Sequence, residues 1–409
     1  MMDWTYDFEK KITVFGKVEI EVGEPRRVAL MLDLEWPYKR HASIFAGTQR
    51  YAEAQNWHSI IDEYVHDTLK TSSPDQAPYD GIIARANPQL ASRADDLGIP
   101  VVNVWLSSPA WSQLPGVYTD VIESGRLQAE HLLARGLNHF AAIAAYKNRG
   151  QEMQLRAFRR SVEVKGGSCV STRVPQSLSR SVKNWRAAES TISAWMESWE
   201  LPIGVMVPDE SLGRLIVQMC HQRSWRVPQD VAMIAGQNEE TLCEFPRPSL
   251  TSMEFGYDRI GFESAKLLQR MMNGEAVPNQ PNWLAPQGLI VRASTDFFAV
   301  EDELVGAALD FIAQNSHRRI GQHDVARAVH AECRTLQSRF RKALDRPIVA
   351  EIRRVRLERA KRELTQSKRP LNDIARDVGF GGAARMREVF LRETGATPSD
   401  YRKLRQRDA

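Results

Sequence analysis

Two short sets of side chains near the C-terminal end carry the most chemistry in this chain. Arg334, Thr335, Gln337, Ser338 and Arg339 form one set, and Ala384, Arg385, Arg387 and Glu388 form the other. An arginine offers two parallel donors that match a guanine edge, a glutamine pairs with adenine, and a glutamate accepts from cytosine. On helices that bury their opposite faces, such positions could read base edges in a DNA major groove. Any single exposed arginine is more simply a solvated helix face. Two sets at matched positions argue against that simpler account.

The match comes from an internal repeat. Asp324-Val-Ala-Arg-Ala-Val329 recurs as Asp373-Ile-Ala-Arg-Asp-Val378, Leu336 and Phe340 recur as Met386 and Phe390, and Pro347 recurs as Pro398. Each copy reads as helix, short turn, helix, with Val325, Ala326 and Val329 facing Leu336 and Phe340 in the first. Gly379 suits the positive-φ residue that a tight interhelical turn often needs, and His330 stands at the corresponding place with less ease. Between the copies, Pro347 can start a long helix with Ile348, Ile352 and Val355 on one stripe. That helix also bears Arg353, Arg354, Arg356, Arg359, Lys361 and Arg362.

Charge agrees with a polyanionic partner for this end. The net charge of +4 divides unevenly: residues 301–409 hold 24 Lys/Arg against 16 Asp/Glu, while the preceding 300 hold 31 against 35. A basic tail on a mildly acidic body suits nucleic acid. The other compositional signals are restrictive. No run of 18 apolar residues predicts a membrane span, and Met1 to Glu9 lacks the basic start and apolar stretch of a secretory signal. Cys169, Cys220, Cys243 and Cys333 are scattered singly, which fits a reducing cytoplasm better than a disulfide framework. His330 with Cys333, or Cys220 with His221, is too sparse for an expected zinc site. No metal and no cofactor are expected. GxSxG, HExxH, Walker and GxGxxG patterns are missing, and the Gly379–Gly382 cluster is explained by its turn, so no enzyme is expected.

Ahead of the helical tail, short apolar runs alternate with amphipathic stretches. Arg27–Leu32, Gly81–Ala84, Pro100–Trp105, His139–Ala145, Ile203–Val207 and Val231–Ala235 read as strands. Ile122–Arg135 reads as a helix. This alternation predicts βαβ units in parallel sheets, arranged as two doubly wound lobes with a ligand cleft beyond the strand ends. It stops near Ser294–Glu303. The expected division is 1–26 as an appendage of unknown role, 27–298 as a small-molecule-sensing domain, and 304–407 as an all-α double helix-turn-helix domain.

Two resemblances sharpen these expectations. Ile374-Ala375, Val378-Gly379-Phe380, Phe390 and the closing Gly395-Ala-Thr-Pro398-Ser-Asp-Tyr401-Arg402 make residues 304–407 similar to the AraC-type DNA-binding domain. The resemblance implies two units entering successive major grooves on one face of double-stranded DNA. Met386 replaces the usual Phe, and Gly381-Gly382-Ala383-Ala384 is poorer in polar groups than is usual there. The second unit is therefore expected to lean on Arg385 and Arg387, or to discriminate bases less sharply.

The body resembles the ligand domain shared by lactose-repressor-type regulators and periplasmic sugar-binding proteins. This rests on His131-Leu-Leu-Ala-Arg-Gly136, Val227-Pro-Gln-Asp-Val-Ala232 before Ile234-Ala-Gly-Gln-Asn238, Ser249-Leu-Thr-Ser-Met253, and the Arg292-Ala-Ser-Thr-Asp296 exit. The whole order of motifs looks like the xylose-operon regulator group. The resemblance implies a sugar effector, D-xylose being the first candidate, a homodimer, and activation through RNA polymerase. Matching positions for the sugar are Asp209, Gln237 and Asn238, with Arg149 and Asp120 behind them and Tyr38, Arg40 and His41 at the cleft lip. Each of these could instead be a cap, a turn or a surface ion pair. The group commonly has Asp where Gln237 stands. An ionised Asp accepts two strong hydrogen bonds, whereas Gln accepts at one end and donates at the other. The sugar is therefore expected to differ from xylose or to bind more weakly; the alternative is a DNA-binding regulator with a non-pentose ligand or a silent sensor domain.

Overall fold

Burial along the apolar runs dictates the architecture. Gly81–Ala84, Ile203–Val207 and Val231–Ala235 are buried at every position, as strands covered on both faces by helices must be. The computed structural model describes residues 25–35, 39–175, 181–278, 280–297, 302–344, 346–367 and 369–407. The proposed appendage therefore lies almost wholly outside the described residues.

The first lobe opens with β1 (Arg26–Met31), β2 (Trp57–Ile61), β3 (Gly81–Ala84), β4 (Val101–Asn103) and β5 (Gly116–Thr119). The second follows with β6 (His139–Ala145), β7 (Ser168–Val174), β8 (Ile203–Val207) and β9 (Val231–Ala235). The chain then returns through β10 (Ser252–Glu254), β11 (Pro281–Leu284) and β12 (Gly288–Ile290). One parallel sheet has the order β11-β5-β4-β3-β1-β2 and the other β7-β6-β8-β9, with β10 and β12 as an antiparallel pair. This is the two-lobed parallel α/β body that the alternation predicts. The edge strands are less legible: β11 starts on Pro281, which has no N–H to donate and suits an edge.

Helices α1 (Lys39–Ala54), α2 (Val65–Thr68) and α3 (Pro88–Asp96) belong to the first lobe. The second lobe carries α4 (Val121–Leu133), α5 (Arg149–Val164), α6 (Val182–Glu197), α7 (Glu210–Gln222) and α8 (Glu240–Glu244). Helix α9 (Tyr257–Met272) comes back to cross α1, and its Tyr257 and Ile260 sit in the core with Val28, Leu30 and Ile83 of the first sheet. That crossing is close: a Cβ on Gly261 would lie 1.9 Å from the Ile44 carbonyl oxygen. From α10 (Glu303–Asn315) onward the chain is helical: α11 (Gln322–Ala328), α12 (Cys333–Leu344), α13 (Ile348–Gln366), α14 (Leu371–Asp377), α15 (Ala383–Thr394) and α16 (Pro398–Arg407). Two apolar cores divide this tail. Leu336 and Phe340 share one with Ile348, Ile352 and Val355, and Met386 and Phe390 fill the other. No helix among the described residues is long and apolar enough to cross a membrane.

The exit from the body is held by a buried guanidinium. Arg292, 3 % exposed, donates to Glu244 Oε1 at 2.6 Å, Ser252 Oγ at 2.7 Å, Asn238 Oδ1 at 2.7 Å and the Leu250 carbonyl at 3.0 Å. Just beyond it, Thr295 is gripped by His131 Nε2 at 2.8 Å and, through its carbonyl, by Arg135 Nε at 2.9 Å. Arg292→Met leaves these acceptors buried without their donor and should cost about 3 kcal/mol. The midpoint of chemical unfolding of the full chain should fall accordingly, and an unchanged midpoint would refute the role assigned to Arg292.

Candidate functional site

The two helix-turn-helix units are built alike at the backbone. Their turns pass through His330 at φ 53° and Gly379 at φ 91°, so the less suitable histidine adopts the left-handed conformation that the repeat demands. Gly379 is also needed for space, because a Cβ there would sit 2.2 Å from the Ser316 carbonyl oxygen and 2.8 Å from Arg356 Nε. Arg356 on α13 donates to the Ser316, Arg318 and Ile320 carbonyls of the first unit, at 2.8, 2.8 and 3.3 Å. A guanidinium of the linking helix thus clamps the first unit while the turn of the second closes over it. Position 356 follows Ile352 by one helical turn, and that spacing is the signal which places it on the buried stripe.

Helices α12 and α15 leave the proposed reading positions open. Arg334, Thr335, Ser338, Arg339, Ala384, Arg385, Arg387 and Glu388 are exposed. Gln337 is half-buried and donates to Gln322 Oε1 at 2.7 Å, Arg339 pairs with Asp302 at 2.6 Å, and Arg385 pairs with Glu388 at 2.5 Å. Between the units runs a groove of about 680 Å³ whose lining includes Arg319, Arg356 and Arg385 and no acidic residue. Such a surface attracts a phosphate backbone. Arg319 has no counterpart among the proposed reading positions, because it lies in a loop that periodicity does not orient.

In the body, the segments that follow the strands of the two lobes meet one another. Arg40 lies over the Tyr257 ring at 5.7 Å from its centroid, and Arg149 of the second lobe lies over Trp111 of the first at 4.2 Å. Gln237 Oε1 accepts from the Tyr257 hydroxyl across the lobes, and its backbone N–H donates to Glu210 Oε1 at 2.6 Å. Ser107 donates to Asn148 Oδ1 at 3.1 Å, and Lys39 N donates to Glu239 Oε2 at 3.0 Å, so the lobes meet at several points. Tyr38 lies outside the described residues.

The remaining expected ligand residues are held by the fold. Asp209 caps α7 by accepting from Leu212 N at 2.8 Å, and Asp120 caps α4 by accepting from Glu123 N at 2.9 Å. Asn238, at φ 62° and 1 % exposed, turns inward to Arg292 and donates to Glu254 Oε2 at 2.7 Å. His41 is buried with Nδ1 at 2.9 Å from the Asp33 carbonyl oxygen, which can only accept, so Nδ1 carries the proton. Sequence reasoning missed Arg85, which pairs with Asp33 at 3.2 Å and lies over Trp105 at 5.0 Å. Its place directly after the buried strand β3 was the available signal.

Burial also sets the protonation states. Desolvation lowers His41 to about 4, with the Arg40 and Arg85 charges adding to it against the Asp33 contact. His131 is held well below the ordinary histidine value by burial, then by the charges of Arg135 and Arg354. Burial raises Asp209 and Glu210 above the usual carboxylate range despite the backbone N–H groups they accept.

Comparison with known proteins agrees with both halves of the chain. A family model for a periplasmic binding protein-like domain matches residues 129–295, and one for a helix-turn-helix domain matches residues 325–404. The xylose operon regulatory protein of Haemophilus influenzae is 24% identical over 383 residues, covering 92% of this chain and 98% of its own. That of Escherichia coli K12 is 27% identical over 391 residues, covering 92% and 97%. Among solved structures, a xylose-binding transcription activator aligns over 93% of this chain and 98% of its own, with TM-score 0.58 at 23% identity. A cellobiose complex of a transcriptional regulator covers 66% of this chain and 85% of its own, with TM-score 0.54 at 21% identity. At those identities the structures establish the fold.

Two measurements follow from this geometry. Gly379→Ala should cost about 1–3 kcal/mol, because the methyl group meets a carbonyl and the φ is unfavourable. It should weaken DNA binding more than Gly306→Ala, whose added Cβ would meet nothing; equal effects would contradict the clamp. The second is pH dependence. The folded value of His41 lies below that of the unfolded chain, so the unfolded state binds protons first and stability is lost as pH falls below 6.5 toward 4. Between pH 6.5 and 5 His41 alone contributes a loss of about 2 kcal/mol, which His41→Asn should remove from the unfolding curve.

Proposed function

We propose that this chain, a transcription regulator in which a periplasmic-binding-protein-like sensor precedes an AraC-type helix-turn-helix domain, activates a sugar-utilisation operon when a sugar enters its cleft. The observation that carries the DNA half is the pair of helix-turn-helix units with matched turns and exposed polar faces on α12 and α15. Full-length similarity to xylose operon regulators supports a sugar, with D-xylose or a related compound as the effector. The sensing unit is proposed as residues 27–298 and the DNA-binding unit as residues 304–407, with 1–26 an appendage. The protein acts in the cytoplasm as a homodimer that places its tail domains on operator half-sites and engages RNA polymerase.

In this reading Arg334, Thr335, Gln337, Ser338 and Arg339 serve one major groove and Ala384, Arg385, Arg387 and Glu388 the next. The pairing of Arg339 with Asp302 and of Arg385 with Glu388 makes both arginines exchange a protein partner for DNA. Arg40, Arg149 and Gln237 take the sugar, with His41, Asp120, Asp209 and Asn238 supporting the strand ends around it. Closure of the lobes on the sugar changes how the tails are presented. A ligand shifts that equilibrium only by its differential affinity for the two states, about 1–3 kcal/mol in such systems.

The test is fluorescence anisotropy with DNA from upstream of the neighbouring sugar-utilisation genes, at fixed salt, with a sugar panel headed by D-xylose. Competitor-resistant binding that one sugar strengthens is expected, and binding indifferent to every sugar would leave a DNA reader with a silent sensor. Arg334→Ala and Arg385→Ala should each cost roughly 1–3 kcal/mol and relax preference at one base position. A uniform loss on all sequences would reassign them to phosphates. Sedimentation showing a monomer on and off DNA would overturn the dimer.

A further inference from the structure

We infer that the cleft takes an acidic sugar derivative, one bearing a carboxylate or a phosphate, in preference to a neutral sugar. This rests on the sugar-sensor reading and concerns which class of sugar the site selects.

Three guanidiniums stand at the strand ends: Arg40 after β1, Arg85 after β3 and Arg149 after β6. Each has a face on an aromatic ring, at 5.7, 5.0 and 4.2 Å from the centroids of Tyr257, Trp105 and Trp111. Contact through the face of a guanidinium leaves its donor edge for an oxygen ligand, the geometry that carboxylates and phosphates match. Arg85 already donates to Asp33, so the edges offered here are those of Arg40 and Arg149. Arg40 lies near enough to Arg85 for their charges to repel, and the Arg149 charge reaches the Tyr118 phenol on β5.

Acceptors are what a neutral sugar would need. Each hydroxyl gives a proton as well as receiving one, so a site for a neutral sugar sets ionised acceptors beside its donors. Here the acids at the strand ends serve the fold. Glu63 accepts from the backbone of Asp33 and Leu34, and Glu210 from that of Gln237 and Glu239. Asp209 caps its helix, and Asp33 is paired with Arg85. At position 237 the amide oxygen is taken by Tyr257. Among the described residues, neither Arg40 nor Arg149 is in an ion pair. Donors in excess and acceptors engaged suit a ligand group whose oxygens only accept and whose charge is negative.

The experiment is calorimetric titration of the full chain with D-xylonate, D-glucuronate, D-ribose 5-phosphate and D-xylose at one ionic strength. At least one acid should bind about tenfold or more tightly than D-xylose, with the sugar acids marking a carboxylate and the sugar phosphate marking a phosphate. Arg149 is exposed, so Arg149→Gln should fold with an unchanged unfolding midpoint and lose about tenfold for the acid, a larger loss than it shows for D-xylose; equal losses for both would overturn the preference for a charged ligand. D-xylose binding as tightly as every acid would overturn the inference and leave the sugar sensor standing. Heat from none of the four, with DNA binding intact, would overturn both.

Discussion

A charged group buried in a protein must have its donors met, and Arg292 meets this demand by tying together parts of the chain that are far apart in sequence. Its guanidinium holds Asn238 from the loop after β9, Ser252 on β10, and Glu244 at the end of α8. Its backbone N–H donates to Thr251 Oγ1 at 2.8 Å. The neighbour of Asn238 is Gln237, which reaches across the lobes to Tyr257. Three residues beyond Arg292, Thr295 is held by His131 and Arg135, and the chain then leaves for α10. The loop that touches the cleft and the segment that leads to the tail therefore share one buried cation.

If sugar and DNA binding are coupled as proposed, this arrangement is a physical carrier for that coupling. Asn238 of this loop is an acceptor of Arg292, and the Arg292 backbone is tied to Thr251, so the loop and the exit share one set of hydrogen bonds. The charge of Arg354, on the helix that links the two DNA-binding units, is felt at buried His131 beside that exit. Sensor and reader thus approach each other at the same segment through which the chain connects them.

Within the tail, Arg356 has a comparable role on a smaller scale. It donates to three carbonyls of the segment between α10 and α11, and Gly379 of the second unit lies against the same segment. For α12 and α15 to address successive grooves as proposed, their separation must be fixed, and Arg356 is a contact through which the two units are joined.

Local physics made much of this legible from the residues alone. Strands buried on both faces require unbroken apolar runs, so β1, β3, β4, β6, β8 and β9 could be read directly. The repeat of a turn needing positive φ placed His330 and Gly379 in register, and helical spacing put Leu336, Phe340, Met386 and Phe390 in the core. What the cleft residues do is a different matter, because a polar side chain near a strand end can turn outward to a ligand or inward to a cap. Asp209 and Asp120 became caps, Asn238 turned inward to a cation 54 residues away, and Gln237 found Tyr257 on the other lobe. Sequence by itself determined the elements, the repeat and the two-part plan, since these follow from periods and turns only a few residues long. Tertiary structure alone decided which polar groups serve the fold and which remain for a ligand, because those choices rest on hydrogen-bond partners that packing brings together from distant parts of the chain.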